Sequence, residues 1–141
     1  MRIMALDIGD KRIGVAVTDE GCSIAQGVGV IRRRSFGQDV SAIKEYIAKY
    51  NVSRLVVGVP YRGDGIVGGQ TKKVIEFLER IRAPLTEAFP GLEIGGWDES
   101  LTTMEAGQVL SLAGVSPKRR REVIDKLAAV FILESYLRGQ E

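Results

Sequence analysis

The chain opens on a short apolar run, Ile3-Met4-Ala5-Leu6, that closes in an acid, Asp7. A run of this length over residues 2–8 predicts a buried strand. Gly9-Asp10-Lys11-Arg12 has turn composition, and Ile13-Gly14-Val15-Ala16-Val17-Thr18 predicts a second strand returning beside the first as a hairpin. Asp19-Glu20-Gly21 turns the chain again, and residues 27–31 predict a third strand. The period then changes. Ser35-Phe36-Gly37-Gln38 has capping-box spacing, and Val40, Ile43, Ile47 and Tyr50 follow at helical intervals. Residues 54–60 are almost continuously apolar, as in a strand covered on both faces. A glycine-rich loop fills 61–69, and Val74, Phe77, Leu78, Ile81 and Leu85 make a helical stripe. Residues 92–97 predict a fifth strand, weakened by Gly95 and Gly96 and closing in Asp98-Glu99. Thr102 and Glu105 repeat the capping-box spacing and predict a short helix to about Ala113, broken by Gly114 and Pro117. A last helix is predicted over 118–138.

The order is β-β-β-α-β-α-β-α-α. Two leading hairpins give antiparallel neighbours, and the helical crossovers that follow give parallel ones. The expected fold is α/β: a mixed five-stranded sheet, three antiparallel strands and then parallel ones, with helices on both faces. The 141 residues suit one domain able to bury a real core, and no internal repeat or linker divides them.

Composition removes most catalytic chemistries. The chain has no histidine and one cysteine, Cys22. That excludes Ser-His-Asp triads, histidine zinc sites, thiolate zinc sites and an intrachain disulfide. Cys22 is expected to be a small buried or turn residue. Carboxylates, lysines, hydroxyls and hard metal ions remain. A net charge of +2 points to no partner by itself, but its distribution does: Arg32-Arg33-Arg34 and Lys118-Arg119-Arg120-Arg121 are dense clusters, readable as solvated loops or as phosphate contacts. No apolar run approaches the ~20 residues of a membrane helix. An acid at position 7 comes too early for a secretory signal. A cytoplasmic protein without membrane association is expected.

Three acids stand out by position. Asp7 closes the first strand, Asp98-Glu99 the fifth, and Asp125 lies in the last helix on a face shared with Ala128, Ala129 and Ile132. Small apolar neighbours let that face press on the sheet, and a carboxylate buried there is costly unless it is paired or binds a cation. Arg121, one turn earlier, is the local candidate for pairing. Sites in α/β sheets gather at the carboxyl ends of strands. If the last helix crosses that edge, the acids form an oxygen-only set suited to Mg²⁺ or Mn²⁺. Two such ions can activate a water and stabilise the leaving oxygen of a phosphodiester.

Four ordered segments resemble the YqgF (RuvX) family. Asp7-Ile8-Gly9-Asp10-Lys11-Arg12-Ile13-Gly14-Val15-Ala16 is similar to its opening motif, and Val56-Val57-Gly58-Val59-Pro60 to its central strand. Asp98-Glu99-Ser100-Leu101-Thr102-Thr103 resembles its Asp-Glu-Arg-Leu-Ser/Thr-Thr motif. The stretch from Asp125 to Leu137 resembles its closing Asp-x-x-Ala-Ala-x-x-Ile-Leu-x-x-Tyr-Leu helix. The resemblance implies an RNase H-like fold and a metal-dependent nuclease linked to maturation of the 5′ end of pre-16S ribosomal RNA, for a family earlier proposed to resolve Holliday junctions. It implies catalytic and metal-ligating roles for Asp7, the Asp98-Glu99 pair and Asp125.

Ser100 stands where the family has arginine. RNase H-like nucleases also usually carry an acid at the end of the fourth strand, whereas here that strand ends in Gly58-Val59-Pro60. The second carboxylate then reaches from the fifth strand, about 5 Å further. A glutamate spans this better than an aspartate, which favours Glu99 over Asp98. Lys11 and Arg12 flank the expected metals and, with Arg119 and Arg120, are the candidate phosphate contacts. Trp97 is either a base-stacking or a core residue. Expected partners are pre-rRNA or branched DNA, bound by a monomer or a homodimer; junction resolution favours a dimer. A non-catalytic RNA-binding assembly factor is the alternative of another class. A phosphotransferase of the actin or sugar-kinase type needs a second such domain.

Overall fold

Alternate residues of the first strand divide the core in two. Met4, Leu6 and Ile8 point into one apolar layer, and Ile3 and Ala5 into the other. The structure, a computed structural model, describes residues 1–61, 68–99 and 116–140. Its strands are β1 (Arg2–Ile8), β2 (Arg12–Thr18), β3 (Ala25–Arg32), β4 (Val52–Val59) and β5 (Glu93–Asp98). Its helices are α1 (Phe36–Tyr50), α2 (Gly69–Ala88) and α3 (Pro117–Gly139). The strands form one five-stranded sheet in the order β3-β2-β1-β4-β5. β1–β2 and β2–β3 are antiparallel, and β1–β4 and β4–β5 are parallel, as the order of elements predicts.

Helices α1 and α2 cover one face of this sheet through Val40, Ile43, Ile47, Val74, Phe77, Leu78 and Ile81. α3 covers the other through Ala129, Ile132, Leu133 and Tyr136. Ser35 caps α1 by accepting from the Gln38 backbone N–H, at the expected capping position. Asn51 closes the same helix in the left-handed conformation, φ 51°. The termini of the elements shift by a few residues from expectation, most at α2, which begins at Gly69 ahead of its apolar stripe. The predicted short helix over 102–113, Ser100 and most of the glycine-rich loop lie outside the described residues.

Glycine sets how closely α3 approaches the sheet. A Cβ built on Gly14 in β2 would lie 2.6 Å from the backbone carbon of Asp125, and closer still to its carbonyl oxygen. At this position the α3 backbone rests directly on the strand, which no larger residue permits. Cys22 sits in the turn after β2 with φ 57°, half-buried against the core layer under α3. Trp97 is half-buried, donates Nε1–H to Ser135 Oγ at 2.9 Å and meets the Tyr136 ring edge-to-face. It packs α3 onto β5 and is committed to the core.

Candidate active site

The carboxyl ends of the parallel strands β1, β4 and β5 lie side by side, and the expected acids stand on this edge. Asp7 pairs across the hairpin with Gly14, and its parallel neighbours follow the register Leu6–Val57. Gly58 is therefore the residue beside Asp7 on β4. β5 continues the edge with Asp98 beside Val59, and the Glu99 backbone N–H donates to the Val59 carbonyl at 3.1 Å.

From there the Glu99 side chain turns back over Gly58 and hydrogen-bonds Asp7. A Cβ on Gly58 would lie 3.0 Å from Glu99 Cδ and would also collide with the end of Ile132. The missing side chain on the fourth strand thus provides the space that the fifth-strand glutamate fills. Glu99 is only 6% exposed, whereas Asp98 is exposed. Glu99 Oε2 is buried with no hydrogen-bond partner among the described residues.

Two carboxylates this close and this dry cannot both ionise cheaply. Burial, the Asp7 charge and the shared hydrogen bond push the Glu99 carboxyl up to about 9. Burial also lifts Asp7, to about 6; the hydrogen bond from Glu99 counteracts this and the charge of Asp125 adds to it. At neutral pH the pair therefore shares one proton.

Asp125 comes down from α3 near enough for its charge to act on Asp7. Its carboxylate does not join the pair. Asp125 Oδ2 accepts from Arg12 Nε at 2.5 Å, a partner 113 positions away rather than Arg121 one turn earlier. Among the described residues, no three carboxylates stand close enough to share one ion. The structure thus brings Asp7 and Glu99 together and ties the third acid to an arginine.

Basic residues cluster next to this pair. Lys11, Arg12, Arg32, Arg33, Lys118 and Arg121 line a cleft of about 480 Å³, against the two acids Asp10 and Glu122. The first turn of α3 presents Lys118 and Arg121 to the cleft, and Arg119 and Arg120 do not line it. Of the four expected phosphate contacts, Lys11 and Arg12 line the cleft, while Arg119 and Arg120 lie between Lys118 and Arg121, which share a helix face. Arg33 is not a free phosphate contact either. It donates to the buried Asp39 at 3.2 Å and to the Gly9 carbonyl at 2.8 Å, with its guanidinium 4.8 Å from the centre of the Phe77 ring. Arg33 therefore fixes the β1–β2 turn that carries Lys11 and Arg12. The isolated triplet Arg32-Arg33-Arg34 gives no sign of this; the acid Asp39 in the first turn of α1 is the only local hint.

Fold and edge together describe an RNase H-like α/β protein with a carboxylate site. Solved structures share the fold. Thermus thermophilus RuvC in complex with a Holliday junction substrate aligns with a TM-score of 0.60 at 11% identity, over 99% of this chain and 96% of that one. The yeast mitochondrial Holliday junction resolvase aligns with a TM-score of 0.60 at 11% identity, over 98% of this chain and 78% of that one. At the sequence level, the family model RuvX, described as Holliday junction resolvase, matches residues 1–139, and the chain belongs to that family. A relative from Caldanaerobacter subterraneus subsp. tengcongensis, named "Putative pre-16S rRNA nuclease", is 48% identical over 100% of this chain and 99% of its own length. One of the same name from Thermoanaerobacter pseudethanolicus is also 48% identical, over 100% and 99%.

Proposed function

We propose that the chain is a single-domain, cytoplasmic, metal-dependent nuclease that hydrolyses phosphodiester bonds, acting in 5′-end processing of pre-16S ribosomal RNA. The observation that carries this is the Asp7–Glu99 pair, with its shared proton and the partnerless buried oxygen Glu99 Oε2. A divalent cation relieves both costs, since it replaces the proton and supplies the missing partner. The donors are all oxygens, which suits Mg²⁺ or Mn²⁺. Asp7, Glu99 and Asp125 would hold the metal.

When bound, such ions activate a water and neutralise charge on the phosphate under attack. The chain's own residues do the rest. Glu99 would hold such an ion as a carboxylate, the cation taking the place of the proton the pair shares. Lys11 and Arg12, on the turn after β1, would contact phosphates of the scissile strand, and Lys118 and Arg121 would extend the positive surface. The strand's backbone is held by charge, which is independent of base sequence.

Purified protein with Mn²⁺ or Mg²⁺ should cleave a 5′-extended ribosomal RNA fragment. EDTA and Asp7→Asn should each abolish this cleavage. Symmetric nicking of a four-way DNA junction instead would assign the site to resolution, for which RuvC supplies the structural parallel. It would require a homodimer with two opposed sites. Binding of RNA without cleavage in either metal would refute the nuclease and leave a non-catalytic assembly factor.

A further inference from the structure

We propose that Arg12 is shared between two partners: Asp125 in the free protein, and a phosphate group of the nucleic-acid backbone in the adjacent cleft when substrate is bound. Engaging the phosphate would release Asp125 to the cation held at Asp7 and Glu99. The inference rests on the nuclease reading above and adds a coupling between its two ligands.

Three observations support it. First, Arg12 belongs to both places. Its Nε donates to Asp125 Oδ2 at 2.5 Å, and its side chain is one wall of the basic cleft. A guanidinium offers five N–H donors in a planar fork that matches phosphate geometry. Only Nε is used here, and the terminal nitrogens make no hydrogen bond among the described residues. Secondly, the ion pair is within reach of solvent, with side-chain exposures of 30% for Arg12 and 18% for Asp125, so an arriving anion can compete for it. Thirdly, the cleft's basic walls outnumber its acidic ones among the described residues: Lys11, Arg12, Arg32, Arg33, Lys118 and Arg121 stand against Asp10 and Glu122. Of these, Arg32 only reaches Glu122 at 3.9 Å. Arg33 cannot play the same part, because Asp39 and the Gly9 carbonyl hold it.

The arrangement explains why the third acid stands apart from the other two. While Arg12 holds Asp125, the Oδ2 of that carboxylate is committed to the guanidinium and not to a cation. A phosphate drawing Arg12 away would free that oxygen on the side of Asp7. By linkage, phosphate then tightens cation binding, and cation tightens phosphate binding by the same factor. The nuclease would complete its metal site only with a backbone in place.

The test is Mn²⁺ affinity of the full chain, read from the electron paramagnetic resonance of free Mn²⁺. It is measured with and without a saturating short 2′-O-methyl RNA, the RNA's own Mn²⁺ uptake being subtracted. In the wild type the RNA should tighten Mn²⁺ binding by about tenfold. Arg12→Gln should bind Mn²⁺ several-fold more tightly than wild type without RNA, and the RNA should then add little. The same variant should bind the RNA more weakly and with a shallower salt dependence. Lys118→Ala combined with Arg121→Ala should weaken RNA binding and shrink the coupling. Mn²⁺ affinity that is lost in Asp7→Asn, yet unmoved by RNA in the wild type and not raised by Arg12→Gln, overturns the coupling and leaves the nuclease reading standing. Mn²⁺ binding that is absent, or indifferent to Asp7→Asn, overturns both.

Discussion

Glu99→Gln should make the metal-free protein more stable and the nuclease inactive. The wild-type pair keeps a proton because burial and the Asp7 charge push the Glu99 carboxyl up to about 9. Between the pKa of the unfolded chain and that value, the native state binds more protons than the unfolded one. Stability of the metal-free wild type therefore falls as pH rises from about 5 towards 9. A glutamine cannot ionise and can still donate to Asp7, so this loss should be smaller in the variant. A gain on the order of 1–3 kcal/mol near pH 9 is expected, with the two proteins drawing together as pH falls below the unfolded value. Thermal melts across that range, with EDTA present, measure it.

In the wild type, added Mn²⁺ should stabilise more at pH 9 than at pH 6, because the metal displaces the proton. In the variant that response should largely vanish. Cleavage should fall by more than about a hundredfold, since altering even the partners of a metal ligand costs ten- to a hundredfold. A destabilised variant that still responds to Mn²⁺ would show that Glu99 is a structural acid.

Gly14→Ala should damage stability and site together. The new methyl would overlap the Asp125 backbone, with its carbon 2.6 Å from the Asp125 carbonyl carbon. Backbone cannot swing aside as a flexible side chain can. Either α3 lifts from β2 or the strand bends, and both disturb the close packing of Ala16 and Ala129. Overpacking of this kind costs about 1–3 kcal/mol, more where backbone must move. We expect about 3 kcal/mol in denaturant titration and a loss of activity even where the variant remains folded, because Asp125 is the residue displaced. Gly37→Ala is the control: nothing lies within 4 Å of a Cβ there, and it should change little beyond helix propensity.

Much of the fold can be read along the chain because it is written in periodicity. The apolar run ending at Asp7, the hairpin after it, the capping serine of α1 and the stripe of α2 each predict their element locally. The sheet's order and directions then follow from which elements are joined by turns and which by helices. The site was legible only in part. Strand ends located Asp7 and Glu99, and the empty fourth-strand position favoured the longer acid. Gly58 as the space for that acid could not be read, since a glycine in an apolar run signals nothing about what leans over it. Partnerships between distant residues were equally invisible. Asp125 had an arginine one turn away on its own helix, yet its partner is Arg12, brought near only because Gly14 lets α3 settle on β2. Arg33 looked like one of three equivalent cations, and Asp39 with the Gly9 carbonyl makes it an internal brace. The α3 cluster showed the charge but not which residues of the turn would face the cleft.

The most direct test of the central claim is the position of Mn²⁺ in crystals of the protein grown near pH 8, located by anomalous scattering. The account predicts a peak coordinated by carboxylate oxygens of both Asp7 and Glu99, about 2.0–2.3 Å from each, and its absence in Asp7→Asn. Mn²⁺ bound through Asp98 with Glu99 turned away, or no metal on this edge in a protein that still cleaves RNA, would contradict it.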